Sequence, residues 1–409
     1  MSSSDRAQFV IVGGGAVGCA VAHSLAQAGL TDVLLLEAQP FLGAVTSGQA
    51  AGLVGQVRNS EERTRLAMWS VETFSEIQRE EEVDAGWRQV GSLRVALCEE
   101  RVREFERMRA VAEACGLEAR FLEPEESAQR WPAMDLSAAH AVLWCPSDGY
   151  LQPSDLTQAY ATLARRRGVR FRTDTPVRGL LREGARVVGV RTDEGDIACE
   201  TVIDAAGAHA YHLARCAGLE LPIVPVRHEF LVTATCEGLH PELPVMRIPD
   251  ISLYLRAETH QLLTGGWEPN SLAHDPRSSP IDAPVPRVES DWEVLAAFAQ
   301  SLTPYLPAAA ELGFQSVFKG LPPFTPDGRF IVGESARAPG FVMAGGCNAH
   351  GVSGSAGLGR HVVESILEDE PSEYVQSLSP ERFLDGEWDW ESAIAGARKV
   401  YETYYGIAP

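Results

Sequence analysis

The chain has 409 residues, of which 45% are apolar and 22% charged, a composition typical of folded globular proteins. Its formal net charge of -21 repels nucleic-acid phosphates and anionic membrane surfaces, so we expect neither as a partner. The length exceeds what one hydrophobic core usually organises, and we therefore expect two lobes.

The cysteines and the N-terminus indicate the cellular compartment in which the protein is expected. The eight cysteines are scattered singly, without the paired spacing of a zinc site or a disulfide framework, so they fit a reducing compartment and predict no metal site. The N-terminal stretch MSSSDRAQFVIVGGG lacks the basic region of a secretory signal. No segment approaches the roughly 18 apolar residues of a membrane span. We expect a soluble cytoplasmic protein.

The first sixty residues carry a nucleotide-binding pattern. Residues 9 to 36 predict a strand, a tight turn, a helix and a second strand. Gly13, Gly15 and Gly18 have the G-x-G-x-x-G spacing at the turn, and Glu37 ends the second strand. The glycines allow the turn, the approach of a pyrophosphate and close packing of helix on strand, while the carboxylate can accept from ribose hydroxyls. FAD and NAD both satisfy this pattern.

The later elements favour the larger cofactor. We predict a helix over residues 60–82 with Ser60 as N-cap, a strand over 91–97, a helix after it, and another helix starting near Ser154. Residues 176–208 predict short strands, some of which extend the N-terminal sheet, and 221–267 predict antiparallel strands. The stretch GVSGSAGLG at 351–359 opens a second glycine-rich helix. If glycine-rich turns near both ends of the sequence contact the same ligand, that ligand is a large cofactor. The pattern therefore favours FAD over NAD.

The predicted fold is α/β, α+β overall, with a Rossmann-like FAD-binding domain interleaved with an antiparallel-sheet substrate domain. The expected limits are 1–90, 148–220 and 325–375 for the FAD-binding domain, 91–147 and 221–324 for the substrate domain, and 376–409 for a C-terminal helical extension.

Several stretches carry a family resemblance. They are VIVGGGAVG at 10–18, VIDAAGA at 202–208, FTPDGRFIVGE at 324–334, AGGCNAHGVSGSAGLG at 344–359, RHEFLVT at 227–233, LPVMRIPDISLYLRAE at 243–258 and VYETYYGIAP at 400–409. Together they resemble the FAD-dependent amine oxidoreductases of the D-amino-acid oxidase superfamily, in the dimethylglycine and sarcosine dehydrogenase or oxidase branch. The resemblance covers nearly the whole chain. The larger dimethylglycine enzymes continue into folate-binding modules, so we expect the amine-oxidising half alone.

The resemblance implies a reaction. The flavin takes a hydride equivalent from the carbon next to a secondary or tertiary amine nitrogen, and water hydrolyses the iminium. An N-methylated amino acid then gives the demethylated amine and formaldehyde. The oxygen-activating lysine of monomeric sarcosine oxidases has no match in LLTGGWEP at 262–269, so oxygen and an electron carrier both stay open as acceptors. A homo-oligomer and a subunit of a heteromer also stay open.

The resemblance also implies site residues. His228 and Tyr254 are expected on the substrate side of the flavin as catalytic residues, and Arg58 is a candidate for holding a substrate carboxylate. Arg256 is a second candidate, because strand alternation puts it on the same face as Tyr254. The expected cofactor-binding residues are Gly13, Gly15, Ala16, Val17, Gly18, Glu37, Ala38, Ser47, Gln49, Ala51, Leu53, Val177, Ala206, Gly207, Gly346, His350, Gly351, Val352 and Ser353.

The stretch TSGQAAGLVGQVR at 46–58 is unusually poor in bulky side chains. We expect it to lie along the flavin ring, where glycine and alanine allow close approach. Dimethylglycine-type relatives bond FAD covalently through a histidine at the position of Gln49, and monomeric sarcosine oxidases use a cysteine that KGLPPFTPDG at 319–328 lacks. Both departures predict non-covalent FAD.

Two other functions compete with N-demethylation. One is a D-amino acid or imino acid dehydrogenase or oxidase of the same superfamily, which would release ammonia and a keto acid rather than formaldehyde. The other is a flavin-binding regulatory or partner subunit without turnover, an alternative that the residue at position 49 keeps open.

Overall fold

The structure is a computed structural model of the chain and describes residues 5–80, 83–281, 283 and 288–407. Residues 81 and 82 of the predicted helix, 282 and 284–287 of the Pro- and Ser-rich loop, and 408–409 of the terminal motif lie outside the described residues.

Short strands and helices alternate along the described chain. The strands are β1 (Asp5–Arg6), β2 (Phe9–Val12), β3 (Val33–Leu36), β4 (Leu53–Val54), β5 (Ser92–Ala96), β6 (Arg120–Phe121), β7 (Ala141–Cys145), β8 (Gly149–Tyr150), β9 (Arg170–Arg172), β10 (Val177–Glu183), β11 (Arg186–Thr192), β12 (Gly195–Ala198), β13 (Thr201–Asp204), β14 (Val224–Pro225), β15 (His228–Thr233), β16 (Val245–Ile248), β17 (Leu253–Glu258), β18 (Gln261–Gly266), β19 (Phe314–Gly320), β20 (Pro323–Phe324), β21 (Ile331–Glu334) and β22 (Phe341–Gly345). The α-helices are α1 (Ala16–Gln27), α2 (Glu61–Arg79), α3 (Glu99–Ala114), α4 (Pro124–Arg130), α5 (Pro153–Arg166), α6 (Ala210–Cys216), α7 (Trp292–Leu302), α8 (Ser355–Leu367), α9 (Glu373–Ser377), α10 (Glu381–Leu384) and α11 (Trp390–Glu402).

A mainly parallel sheet forms the N-terminal lobe. Its strand order within the described residues is β21-β22-β13-β2-β3-β9, and only the edge strand β21 runs antiparallel to its neighbour. Strands β2 and β3 are apolar and buried at every position, as expected of a parallel sheet covered on both faces. Helices α1, α5 and α8 pack together on one face. The predicted Rossmann-like unit is therefore confirmed.

The strands predicted over 176–208 divide between two sheets. Strand β13 enters the parallel sheet as expected: its four residues pair with β2, and Val202, Ile203 and Asp204 also pair with β22. Strands β10, β11 and β12 instead form a separate four-stranded sheet with β1. Several of their side chains, among them Arg178, Arg186 and Arg191, are exposed to solvent, which a central position between helices would not allow.

The second lobe is built on a large, mostly antiparallel sheet. Its order is β19-β15-β18-β17-β16-β5-β7-β6 within the described chain. Its one parallel pair, β5 with β16, joins the two stretches of sequence that contribute strands, residues 92–145 and 228–320. The antiparallel strands predicted over 221–267 are thereby confirmed, and the exact domain limits stay predictions.

Helix ends follow local sequence. The Ser60 hydroxyl accepts from the Arg63 N–H, so α2 begins where its N-cap was predicted. Helix α5 begins at Pro153, one residue before the predicted start, since proline is favoured in the first turn. In the described residues no helix is long and apolar enough to cross a membrane.

Candidate functional site

One large cavity runs between the two lobes. Its volume is about 1080 Å³, above the roughly 300–1,000 Å³ usual for small-molecule sites. At one end it is lined by the residues that follow the parallel strands, including Gly13, Glu37 and Ala206, and at the other by Arg94, Arg247 and Tyr254 of the large sheet. Ligands of open α/β sheets bind outside the carboxyl ends of the strands, which is where this cavity begins.

The glycine turn after β2 meets the geometric demands of a phosphate loop. Gly13 has φ of +110°, and a Cβ there would lie 2.4 Å from the carbonyl oxygen of Ala205. A Cβ on Gly18 would lie 1.9 Å from the Gly13 carbonyl oxygen, so this glycine lets α1 pack against the turn. The Ala16 N–H donates to the Ser47 hydroxyl at 2.9 Å. The turn is thus held open toward the cavity.

The Glu37 carboxylate stands beside this turn. It accepts from the Gly14 N–H and the Gln39 N–H, each at 2.7 Å, and it lines the cavity. Each carboxylate oxygen has two lone pairs, so both oxygens keep one that is available to a ligand hydroxyl.

Most of the predicted cofactor residues meet in this cavity. The lining residues among them are Gly13, Gly15, Val17, Glu37, Ala38, Ser47, Gln49, Ala51, Leu53, Val177, Ala206, Gly207, His350, Gly351, Val352 and Ser353. Ala16, Gly18 and Gly346 do not line it; the first two support the turn from behind, and Gly346 has φ of +62° with no room for a Cβ beside Thr325. The individual roles stay predictions.

Much of the 46–58 stretch lines the cavity, and two of its glycines also have a packing reason within the protein. A Cβ on Gly48 would lie 2.7 Å from the Gly43 carbonyl oxygen, and one on Gly52 would lie 2.1 Å from that of Leu151. These two glycines let backbone pass close to backbone of the same protein, and Gly52 also lines the cavity. Gln49 lies in a 3₁₀ turn, Ser47–Gln49, and lines the cavity.

The loop before α8 presents unpaired N–H groups. The backbone N–H groups of Gly351, Val352 and Ser353 have no acceptor within the part of the chain that the structure describes, and all three residues line the cavity. They suit an electron-rich ligand group at the start of α8. His350 is held next to them, with Nδ1 2.9 Å from the Asn348 carbonyl oxygen and Nε2 3.0 Å from the Tyr404 hydroxyl. Burial keeps its pKa well below the usual value, so it is neutral.

A chain of hydrogen bonds leaves the opposite wall of the cavity. His228 Nε2 lies 2.7 Å from the Tyr254 hydroxyl, and His228 Nδ1 lies 3.0 Å from the Tyr401 hydroxyl. The Tyr401 hydroxyl donates in turn to the Glu268 carboxylate. An ionised carboxylate can only accept, so Tyr401 receives the Nδ1–H of His228, and Nε2 accepts from Tyr254. The three donors of this hydrogen-bond chain, in Tyr254, His228 and Tyr401, therefore point away from the cavity.

Burial keeps His228, Tyr254 and Tyr401 neutral, so that Glu268 is the charged residue at the end of the hydrogen-bond chain. Desolvation lowers the pKa of His228 to about 4 and raises the pKa values of Tyr254 and Tyr401 well above the usual tyrosine value. Burial also raises the pKa of Glu268, against the opposing hydrogen bond from Tyr401. A neutral imidazole between two hydroxyls relays hydrogen bonds without itself carrying charge.

Aromatic rings close the site around His228. The indole of Trp267 stacks on His228 with ring centroids 4.5 Å apart and on Tyr404 at 3.7 Å. Sequence reasoning missed Trp267, Glu268 and Tyr401 as site residues. The signal was available, because the first two follow Gly265 and Gly266 in LLTGGWEP and Tyr401 belongs to the VYETYYGIAP motif.

The two predicted substrate arginines differ in placement. Arg58 lines the cavity, whereas Arg256 does not. Arg256 shares a sheet face with Tyr254 as alternation predicts, but its guanidinium pairs with Glu258 at 2.5 Å and donates to the Ala51 carbonyl oxygen at 2.8 Å. Both contacts hold it behind the cavity wall. Two arginines that the sequence did not single out, Arg94 and Arg247, line the cavity instead.

The described residues contain no cluster of three or more His, Cys, Asp or Glu side chains able to hold a metal ion, and the cysteines there are unpaired.

A parallel sheet with a glycine turn, an acidic residue at the end of β3 and a long cavity define a dinucleotide-binding protein. The family comparison is more specific: residues 8–365 match the model of DAO, FAD dependent oxidoreductase, and the chain belongs to this family.

The similar proteins include amine oxidoreductases. The chain is 33% identical over 374 residues to 4-methylaminobutanoate oxidase (formaldehyde-forming) of Paenarthrobacter nicotinovorans, covering 91% of this chain and 45% of that protein. It is 30% identical to mitochondrial dimethylglycine dehydrogenase of Rattus norvegicus, covering 97% and 47%. The crystal structure of L-proline dehydrogenase from P. horikoshii superposes with a TM-score of 0.84 at 26% identity, covering 94% of this chain and all of that one. The chain thus spans about half the length of the curated relatives it matches.

Proposed function

We propose that the protein oxidises the carbon next to the nitrogen of a secondary or tertiary amine, and that its substrate is an N-methylated amino acid that it demethylates. The observation that carries this proposal is the directed hydrogen-bond chain from Tyr254 through His228 and Tyr401 to Glu268. It gives the cavity wall an acceptor for an amine N–H and a carboxylate to receive the proton. The printed name of the bacterial relative, a formaldehyde-forming methylaminobutanoate oxidase, supports the same reaction class.

The residues of the cavity fit FAD. Gly13 packs against the Ala205 backbone and faces the cavity without a side chain, Glu37 offers free lone pairs, and the N–H groups of 351–353 are unpaired within the described chain. When bound, FAD supplies the two-electron oxidant of the reaction.

The binding is non-covalent in this proposal. Gln49 stands where relatives bond the cofactor through histidine, and its amide is no nucleophile. The thiol of Cys347 also lines the cavity, but burial raises its pKa to about 12, so it is not a thiolate at neutral pH. His350 has hydrogen-bond partners at both ring nitrogens.

Tyr254 receives the substrate. Because its hydroxyl hydrogen is committed to His228, its oxygen lone pairs are left to accept an N–H of the amine. An amine must lose its ammonium proton before its nitrogen lone pair can assist departure of hydride from carbon. A concerted shift along Tyr254, His228 and Tyr401 delivers that proton to Glu268 and leaves the imidazole neutral throughout.

The remaining side chains orient the amine and exclude water. Arg58 at the cavity wall suits a substrate carboxylate, since the guanidinium binds carboxylates through two parallel hydrogen bonds. Trp267 and Tyr404 cover the His228 side and exclude water from the relay. In the balanced reaction an N-methyl carbon loses two electrons and one proton as hydride, the C–N bond becomes an iminium, and water cleaves it to the amine and formaldehyde.

The test is anaerobic mixing of the flavin-loaded protein with sarcosine, dimethylglycine, 4-methylaminobutanoate and proline. We expect at least one of them to bleach the visible flavin absorption and to release formaldehyde in equal amount. Loss of colour by an N-methylated probe with release of methylamine or dimethylamine and no formaldehyde would indicate deamination. No bleaching by any amine, with FAD bound, would favour a regulatory or partner subunit without turnover. Subsequent admission of air tests whether oxygen or an electron carrier is the acceptor.

An imino acid dehydrogenase is the second candidate. The likeness to the L-proline dehydrogenase structure over nearly the whole of both chains supports it. Proline carries a secondary amine, so the same relay would serve it. Bleaching by proline without formaldehyde would favour this candidate over demethylation.

A further inference from the structure

Three arginines converge on one end of the cavity. Arg94 on β5 and Arg247 on β16 are direct partners in the parallel register, and Arg247 is also the partner of Tyr254 on β17. Cross-strand partners project from the same sheet face, so Arg94, Arg247 and Tyr254 form one row. Neighbouring strands are about 4.8 Å apart, which puts the Arg94 backbone about 10 Å from that of Tyr254. Arg58 lines the same cavity.

Arg94 and Arg247 are buried without a counter-ion. Each is 7% exposed, and within the described residues neither they nor Arg58 form an ion pair with any carboxylate. Arg94 donates to the Val57 carbonyl oxygen at 3.0 Å, but its Nε has no hydrogen-bond partner, nor has Arg247 Nη1 in that part of the chain. Burying an unpaired charge costs several kcal/mol, so an anion is expected to complete the site.

The neighbouring acids are already committed. Glu104 and Asp250 both pair with Arg101, at 2.6 and 3.0 Å. Asp148 lies near enough to attract Arg94, yet its oxygens accept from the Gln56 N–H at 2.8 Å and the Ser92 hydroxyl at 2.5 Å. Of Arg58, Arg94 and Arg247, Asp148 compensates the charge of at most one, which leaves room for two negative charges.

The sequence keeps this end of the cavity open. A Cβ on Gly55 would lie 3.2 Å from Arg247 Nη2 and 3.3 Å from its Cζ, so the guanidinium lies directly over the backbone of the stretch that leads to Arg58. Burial, with a smaller contribution from repulsion by Arg94 and Arg247, lowers the pKa of Arg58 to about 10. Guanidinium groups keep their positive charge in proteins.

We propose that Arg94 and Arg247 bind a second anionic group of the substrate, so that the amine oxidised at Tyr254 is an N-alkylated amino acid with two carboxylates. Arg58 holds the carboxylate nearer the nitrogen, and a short aliphatic chain carries the other to the arginine pair. This inference rests on the proposed function for the identity of the amine, whereas the anion site itself does not.

Binding is measured first, on the flavin-loaded protein, by perturbation of the visible flavin spectrum. The probes are glutarate and its monoamide, which have the same shape and differ by one charge. Hydrogen bonds to charged groups contribute about 1.5–3 kcal/mol, so glutarate should bind about 10- to 100-fold more tightly. In Arg247→Gln this ratio should fall toward one, while Arg191→Gln, an exposed arginine of the small sheet, should leave it unchanged. Equal binding of the two probes by the unaltered protein would overturn the proposal, even where a variant fails to fold.

Turnover is measured second. Anaerobic flavin reduction by N-methylglutamate should be favoured over that by N-methylglutamine by a similar factor, and Arg247→Gln should remove the preference. If sarcosine and dimethylglycine reduce the flavin and the diacid is no better than its amide, the diacid proposal fails and the proposed function stands. If no amine reduces the flavin while glutarate still binds selectively, the proposed function fails and the anion site stands.

Discussion

His228 and Tyr254 lie on strands β15 and β17, which are not neighbours, yet their side chains meet at 2.7 Å across the intervening strand β18. The residue between them is Gly265, which pairs with Tyr254 on one side and with Phe230 on the other. A Cβ at this position would lie 2.5 Å from the Tyr254 hydroxyl oxygen. The absence of a side chain at Gly265 is therefore what lets the tyrosine lean across the sheet to the histidine.

Gly265→Ala should displace the Tyr254 hydroxyl and break its contact with His228. We expect flavin reduction by the substrate to slow by about 10- to 100-fold, since general acid-base contacts contribute roughly 10²–10⁴-fold in rate. Gly179→Ala is the control, because a Cβ there meets nothing within 4 Å. Stopped-flow reduction measures both; an unchanged rate in the first variant would show that the contact is dispensable.

Tyr254→Phe removes the acceptor for the amine N–H while keeping the ring. The rate of flavin reduction should fall by about 10²-fold, with a smaller effect on substrate affinity. Combining it with Gly265→Ala should add little, because both changes remove the same contact. Additive effects in the double variant would contradict this account.

Glu268→Gln keeps a group that can accept from Tyr401 but removes the charge that receives the proton. In the unaltered protein the reduction rate should rise with pH as Glu268 ionises, and burial places that pKa above the usual glutamate range. The variant should be slow and should lack this limb of the pH profile. Glu229→Gln is the matched control, since Glu229 is a buried acid of the same cluster that contacts the Asp291 N–H rather than the relay. If the reduction rate of the Glu268→Gln variant still rises with pH in the same way, a different group must be responsible for the ionisation.

Asp204 predicts a pH-dependent stability. It is fully buried at the end of β13, its one hydrogen bond among the described residues is accepted from the Ala206 N–H, and burial raises its pKa to about 8. The folded state binds this proton more tightly than the unfolded state, so its contribution is complete below about pH 4 and is lost as pH rises to about 8. Asp204→Asn should remove a fall in unfolding free energy of about 1.4 kcal/mol per pH unit across that window. Denaturant titrations at several pH values check it, and parallel slopes for both proteins would refute it.

The proposed non-covalent attachment of FAD is tested by acid precipitation. The flavin should appear in the supernatant and leave a colourless pellet, because His350 has a hydrogen-bond partner at each ring nitrogen and burial keeps the Cys347 thiol protonated. Yellow colour retained by the washed pellet, and lost in Cys347→Ser, would identify a covalent bond to that residue.

Local sequence was enough to determine the nucleotide end of the site. The G-x-G-x-x-G spacing and Glu37 depend on turn geometry and short-range packing, which neighbouring residues dictate. The buried runs of β2 and β3 and the N-cap of α2 are likewise local, and each was predicted at its observed place. The family motifs extended this to His228 and Tyr254.

Tertiary structure alone decided the substrate end. Strand β5 pairs with β16 across about 150 residues of sequence, and only this register places Arg94 beside Arg247. Arg256 had the correct alternation, but its ion pair with Glu258 removed it from the cavity wall. Glu268 and Tyr401 join the relay because α11 folds back onto β14 and β20 from the end of the chain. Charge compensation and hydrogen-bond partners depend on which groups meet in space, and spacing along one sequence does not contain that information.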